Sequence, residues 1–292
     1  MTSKPLLFAL LLVMIAGWAG NYIAGKIALQ TFPAVLLYGL RISTAAVLIL
    51  PVYGWQRRRQ RSTWTLRDLP LLVTIGVFGV SLNQFLFVVG LSRTSVAHSS
   101  IFANLSPIIV LLLAAATGLE KLTPAKTAGV AVSLVGVVLL RAFARPQGEA
   151  TFLGDLLTFL GAFTFAVFTV LGKPTAKQHG SITVNTVAYV GGALLMAPVT
   201  IWQLARFPLA AVPWTAWASV LFMAAGPSVV CYLIYYWALG RMEASRLAAI
   251  NYTLPPLATL LGVWTLGEHV ALLTIVAAAV IFAGIYMVER AR

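Results

Sequence analysis

Continuous apolar runs of about twenty residues, separated by short polar breaks, fill this chain from end to end. A bilayer core about 30 Å thick is crossed by about 20 mostly apolar helical residues. The runs place ten spans, at 6–25, 34–53, 69–90, 97–118, 124–141, 153–173, 183–204, 214–237, 246–266 and 271–288. They lack the two-residue alternation and the short length of barrel strands. Helices instead close their own backbone hydrogen bonds in lipid. The pattern predicts an all-α integral membrane protein with ten transmembrane helices.

Polar positions inside the spans are unevenly spread. Trp18, Asn21 and Tyr22 fall in the first span, Asn83 and Gln84 in the third, and Asn104 with several serines in the fourth. Tyr232, Tyr235 and Tyr236 fall in the eighth span, and Asn251 and Tyr252 in the ninth. A buried amide needs a partner, and a single one is satisfied by an interhelical hydrogen bond. The collection suggests a hydrated cavity, because spans five and ten manage with far less polarity. The candidate cavity residues are Trp18, Asn21, Asn83, Gln84, Asn104, Tyr232, Asn251 and Tyr252. Spans five and ten carry small residues, Ala125, Gly129 and Ser133 in one and Ala279 and Ala283 in the other, which suit close helix packing.

Prolines locate the candidate site further. Pro107 lies near the middle of span four, Pro255-Pro256 near the middle of span nine, and Pro227 follows Gly226 in span eight. Each removes a backbone donor and tends to kink its helix. They are read as hinges, with static packing kinks as the alternative.

Residues 91–140 slide onto 239–288 with their punctuation matched: Arg93 on Arg241, Pro107 on Pro255, Glu120 on Glu268 and Gly136 on Gly284. The chain therefore divides into a first five-helix repeat, 1–145, and a second, 146–292. An odd number of spans per repeat inverts the second half, a symmetry common in transporters.

Composition agrees with a membrane protein: 60% of the 292 residues are hydrophobic and 9% are charged. The net charge of +13 is topological. With the N-terminus inside, fourteen basic residues face the cytoplasm, among them Arg57, Arg58, Arg59, Arg61 and Arg67, against five outside. This bias places both termini in the cytoplasm and argues against nucleic-acid binding. The single cysteine, Cys231, allows no intramolecular disulfide.

The seven acidic residues all fall in loops or at span ends, and the three histidines show no metal-ligand spacing. No nucleophile motif or phosphate loop is present. The sequence thus points away from an enzyme and implies no cofactor or metal. Arg41 is the one formal charge well inside a span, about 10 Å deep. It could attract a carboxylate or phosphate, but its long side chain is expected to snorkel to the headgroups.

Several of these residues carry a family resemblance. Gly17-Trp18 through Asn21, Lys26-Ile27-Ala28-Leu29, Phe32-Pro33 and Leu40-Arg41 resemble the opening of EamA-type members of the drug/metabolite transporter superfamily. Ser106-Pro107 and Gly118-Leu119-Glu120-Lys121-Leu122-Thr123-Pro124 resemble that family's end-of-repeat motif, as do Leu254-Pro255 and Leu266-Gly267-Glu268 in the second half. The resemblance implies ten helices, a central cavity formed by helices 1–4 and 6–9, and helices 5 and 10 packed at one side. It also implies export of amino acids, metabolites or drugs, with YddG-like amino-acid exporters as one branch. The inserted Leu119, Leu254 before Pro255, and His269-Val270-Ala271 depart from the family pattern.

The expectation is an alternating-access exporter in the bacterial inner membrane, moving small amphipathic metabolites with neutral or aromatic amino acids foremost. A lipid or lipid-linked-sugar flippase and a membrane enzyme acting on lipid-linked substrates are the alternatives. The sequence leaves monomer and homodimer both open.

Overall fold

Backbone groups that find no water must bond to one another, and these apolar runs do so as helices. The structure is a computed structural model that describes residues 4–59, 65–94, 99, 102–142, 151–254, 257 and 272–291. Among the described residues every regular element is helical. The first half contains α1 (Lys4–Leu29), α2 (Ala34–Arg59), α3 (Leu69–Gly76), a π-helical segment π1 (Val77–Leu82), α4 (Asn83–Arg93), α5 (Ser106–Ala116) and α6 (Pro124–Ala142). The second contains α7 (Phe152–His179), α8 (Ser181–Leu204), α9 (Trp214–Met223), a second π segment π2 (Ala224–Cys231), α10 (Tyr232–Leu239), α11 (Ala244–Ile250) and α12 (Leu272–Arg290). Short 3₁₀ turns occupy Leu209–Ala211 and Asn251–Thr253.

Among the described residues six columns are long and apolar enough to cross a membrane: α1, α2, α3–π1–α4, α7, α8 and α9–π2–α10. The fifth and tenth expected spans appear as shorter apolar helices. The fourth is helical again only from Ser106, after a turn at Asn104 and Leu105. Pro107 therefore sits in the first turn of α5, where its missing N–H costs no intrahelical bond. The break lies three residues before the proline and not at it. Most of the ninth span, with Pro255 and Pro256, lies outside the described residues, as does His98.

Packing follows small residues. The helices α2 and α8 lie together, as do α4 and α7, α1 and α9, α5 and α11, and α6 and α12. Gly284 lies so close to α6 that a Cβ there would stand 2.3 Å from Ser133 Oγ and 2.5 Å from the Gly129 carbonyl. The contact uses Gly129, Ser133 and Gly136 against Ala277, Ile281 and Gly284. Ala125, Ala279 and Ala283 face outward, so the close-packing stripe is rotated from the one read off the sequence. Gly17 similarly lets α1 press onto Cys231 Sγ. Large apolar side chains such as Val47, Leu112, Leu194, Ile201 and Leu221 remain exposed around the outside, as expected where lipid and not water is the solvent. Trp55 and Trp202 stand at column ends beneath Arg59 and Arg206, with guanidinium-to-ring distances of 4.5 and 4.2 Å.

A charge cluster ties the end of the bundle that holds the loop between α5 and α6. Glu120 in that loop accepts hydrogen bonds from the Ala244 N–H (2.5 Å) and the Ser245 hydroxyl at the start of α11. Lys126 and Lys173 each approach its carboxylate at 3.5 Å. Lys126 also pairs with Glu243 at 3.0 Å, and Glu243 with Arg246 at 2.8 Å. Burial pushes the Glu120 carboxyl up, but the Ser245 hydroxyl, Lys173, the Ala244 N–H and Lys126 outweigh it. The carboxyl is held below its usual range.

Candidate functional site

The site is organised by the break at π2. Pro227 has no N–H to give to the Met223 carbonyl four residues earlier. The Ser228 hydroxyl reaches that carbonyl at 2.9 Å. Three successive carbonyls beyond the break are then caught by side chains of other helices. Trp18 Nε1 donates to the Pro227 carbonyl (3.3 Å), the Tyr189 hydroxyl to that of Ser228 (2.7 Å), and Asn185 Nδ2 to that of Val229 (3.3 Å). The sequence-level expectation for irregular backbone at membrane depth is that protein or a cavity must satisfy it. Here α1 and α8 do so.

A chain of polar side chains grows from the same place. Gln84 Nε2 donates to the Tyr189 hydroxyl at 2.7 Å, and Gln84 Oε1 stands 3.2 Å from Ser228 Oγ. Arg41 Nε donates to Ser228 Oγ at 2.9 Å. Arg41 is 2% exposed. It does not snorkel: the Ser228 hydroxyl of π2 holds it inside, and the expectation from its depth is corrected. Among the described residues no carboxylate faces it, and its Nη1 has no hydrogen-bond partner. On the neighbouring face Asn83 Nδ2 donates to the Gly161 carbonyl (2.8 Å), and its Oδ1 accepts from the Tyr232 hydroxyl (3.0 Å).

These groups border a cavity of about 120 Å³, room for about four waters at roughly 30 Å³ each. Its walls are Trp18, Asn21 and Tyr22 of α1, Arg41 of α2, Asn83, Gln84 and Phe87 of α4, Ala103, Asn104 and Ser106, Thr158, Gly161, Ala162 and Phe165 of α7, Tyr232, Asn251 and Leu254. Trp18 meets Tyr232 and Phe165 edge-on at 5.7 and 6.0 Å, and Tyr22 meets Phe87 at 5.2 Å. The Oδ1 atoms of Asn21 and Asn251 are buried without a hydrogen-bond partner among the described residues. Aromatic faces, amides and one guanidinium thus share a small, partly open space.

Seven of the eight residues expected at a cavity, Trp18, Asn21, Asn83, Gln84, Asn104, Tyr232 and Asn251, come together on its wall. Tyr252 does not. It is fully buried against Leu111, Val130, Val137, Ala277 and Ile281, between α5, α6 and α12. One residue along a helix or 3₁₀ turn rotates a side chain by 100–120°, so neighbours such as Asn251 and Tyr252 face different partners. Sequence reasoning missed Thr158, Gly161 and Phe165, which carry no polar signature in an apolar span. Neither α6 nor α12 contributes to the wall. Among the described residues no three His, Cys, Asp or Glu side chains gather as a metal site would require.

The family model for the EamA-like transporter family matches the chain twice, over residues 4–142 and 152–290. The chain belongs to the EamA-like transporter family. As a member of that family it is a multi-pass membrane transporter. An uncharacterized transporter from Archaeoglobus fulgidus is 28% identical over 98% of both chains. A probable terminal-alkyne amino-acid exporter from Streptantibioticus cattleyicolor is 26% identical over 99% of this chain and 95% of its own length. A probable amino-acid metabolite efflux pump from Salmonella typhimurium is 24% identical over 98% and 95%. A crystal structure 20% identical in sequence superposes with a TM-score of 0.78, covering 98% of this transporter and 96% of the other chain, and so shares its fold.

Proposed function

We propose that this EamA-type transporter is an alternating-access exporter of small amphipathic metabolites, neutral or aromatic amino acids foremost, and not an enzyme. The observation that carries the proposal is the cavity itself. Aromatic faces of Trp18, Tyr22, Phe87 and Phe165 suit an apolar side chain, while Asn21, Asn83, Asn104 and Asn251 suit its polar end. Its volume of about 120 Å³ approaches the roughly 150 Å³ that accommodates a benzene ring, and so suits a small substrate. Two relatives named for amino-acid export or efflux support the same class.

Two inverted five-helix repeats, 1–145 and 146–292, with termini in the cytoplasm of a bacterial inner membrane, complete the reading. The double family match supports it. So do the π segments, since Val77 and Ala224 begin them 147 residues apart. The contacts α2–α8, α5–α11 and α6–α12 join corresponding spans of the two halves, as an internal two-fold axis would require. The cluster around Glu120 joins the halves at the basic end and acts as the inner gate, opening and closing as the repeats rock about the cavity. Pro227 and Pro107 flank the moving segments.

The test is counterflow in liposomes containing the purified transporter and a panel of labelled amino acids. Saturable exchange of leucine or phenylalanine that falls at least tenfold in Asn83→Ala or Trp18→Ala is the expected result. No exchange of any amino acid by protein of native thermal stability sinks the assignment.

A further inference from the structure

We infer that Arg41 is the substrate's counter-ion: the cavity selects molecules bearing a carboxylate, which binds the free edge of this guanidinium. The inference rests on the cavity being the transport site and names the group it recognises. Among the described residues Arg41 is the sole cation lining the cavity, and no Asp or Glu lines it. It is 2% exposed, so water does not hydrate it as it would a surface arginine. A buried charge without a partner is costly and persists where something compensates it. The described protein supplies hydroxyls and amides around Arg41, but no negative charge.

Orientation completes the argument. Nε is committed to Ser228 Oγ at 2.9 Å, and Ser228 is itself fixed by the Met223 carbonyl and Gln84. That pins one corner of a rigid planar fork and leaves Nη1 buried without a hydrogen-bond partner. A guanidinium with free amino groups matches the two oxygens of a carboxylate. One positive charge balances one carboxylate, whereas a dianionic phosphate would leave excess negative charge in a space with no second cation. The unpartnered Oδ1 atoms of Asn21 and Asn251 are acceptors and serve the opposite end, an ammonium where the substrate has one. Substrate binding then contributes the charge compensation that the described residues around Arg41 do not supply.

The experiment uses the full chain in liposomes, with labelled phenylalanine counterflow competed by phenylalanine, 3-phenylpropionate, phenylethylamine, phenylalanine amide and phenyl phosphate. Phenylalanine and 3-phenylpropionate are expected to compete. Phenylethylamine and phenylalanine amide, which carry no anionic group, should compete roughly 30-fold worse or more, the loss that accompanies removal of one partner of a buried charge pair. In Arg41→Gln this discrimination should shrink to within about threefold, and Arg41→Lys should restore part of it. If either replacement does not fold, competition on the unaltered protein decides. Equal competition by phenylethylamine or the amide, or tighter binding of phenyl phosphate than of the carboxylates, overturns the inference and leaves amino-acid transport standing. Where no amino acid is transported, thermal stabilisation by 3-phenylpropionate that Arg41→Gln abolishes sustains the carboxylate site while the export reading falls. Absence of that stabilisation removes both.

Discussion

Glu120→Gln is the most informative single change in the charge cluster between α5, α6 and α11. The carboxylate is nearly sealed, with a side chain 2% exposed, and Lys126 beside it is 3% exposed. The amide keeps an oxygen for the Ala244 N–H but removes the charge that faces two lysines. Lys173 is a quarter exposed and regains water, so its share of the loss is small. Lys126 keeps only Glu243. Breaking a buried pair costs about 3–5 kcal/mol, and the surviving Glu243 contact puts this case at about 3 kcal/mol. For a chain of this size that lowers the apparent unfolding midpoint by about 5–10 °C, measured in detergent by tryptophan fluorescence. The pH dependence supplies a second check. Because the folded carboxyl sits below its usual value near 4.3, its contribution is fully present above that value. It disappears as pH falls through the folded value. The gap between the two proteins should therefore be widest near neutrality and close in acid. A gap under about 1 °C at neutral pH, or one unchanged down to about pH 3, would refute the reasoning.

Other expectations are equally direct. Gly284→Ala forces α12 off Gly129 and Ser133 and should cost about 1–3 kcal/mol of stability, with turnover per folded molecule unchanged because α12 does not reach the cavity. Cysteines placed singly at Asn104 and Asn251 should react with a water-soluble thiol reagent and be protected by substrate, while one at Tyr252 stays unreactive. Ser228→Ala frees Arg41 Nε and should weaken substrate binding by about tenfold, since a hydrogen bond to a charged group is worth about 1.5–3 kcal/mol; unaltered affinity in counterflow would show that Arg41 needs no such anchor. Alkaline phosphatase fusions should be active near Gln147 and silent at Arg292.

Much of this architecture was legible in the sequence because lipid imposes a length and a polarity on every span. The amides and Trp18 were found on that basis alone, since they had no reason to lie in an apolar run unless something polar faced them. What escaped was rotation and partnership. Whether Arg41 turned outward or inward depended on Ser228, 187 residues away, and no periodicity reports such a distance. Tyr252 looked like Asn251 until packing assigned them opposite neighbours. Pro107 signalled a break, yet the break occupies Asn104 and Leu105, because a proline that follows an interruption serves as a helix start. The π segments left no mark beyond Pro227, as an extra residue per turn is a consequence of packing and not of composition.

The contact between Gly17 and Cys231 gives the molecule a built-in clock. Cys231 is the only thiol in the chain and is 1% exposed, its sulfur covered by the backbone of α1. A thiol so enclosed is inert until its cover lifts. Its rate of modification in the unaltered protein therefore counts excursions in which α1 parts from the α9–π2–α10 column. No engineered probe or cysteine-free background is needed to time that step, and substrate that changes the rate reports directly on how often the bundle opens there.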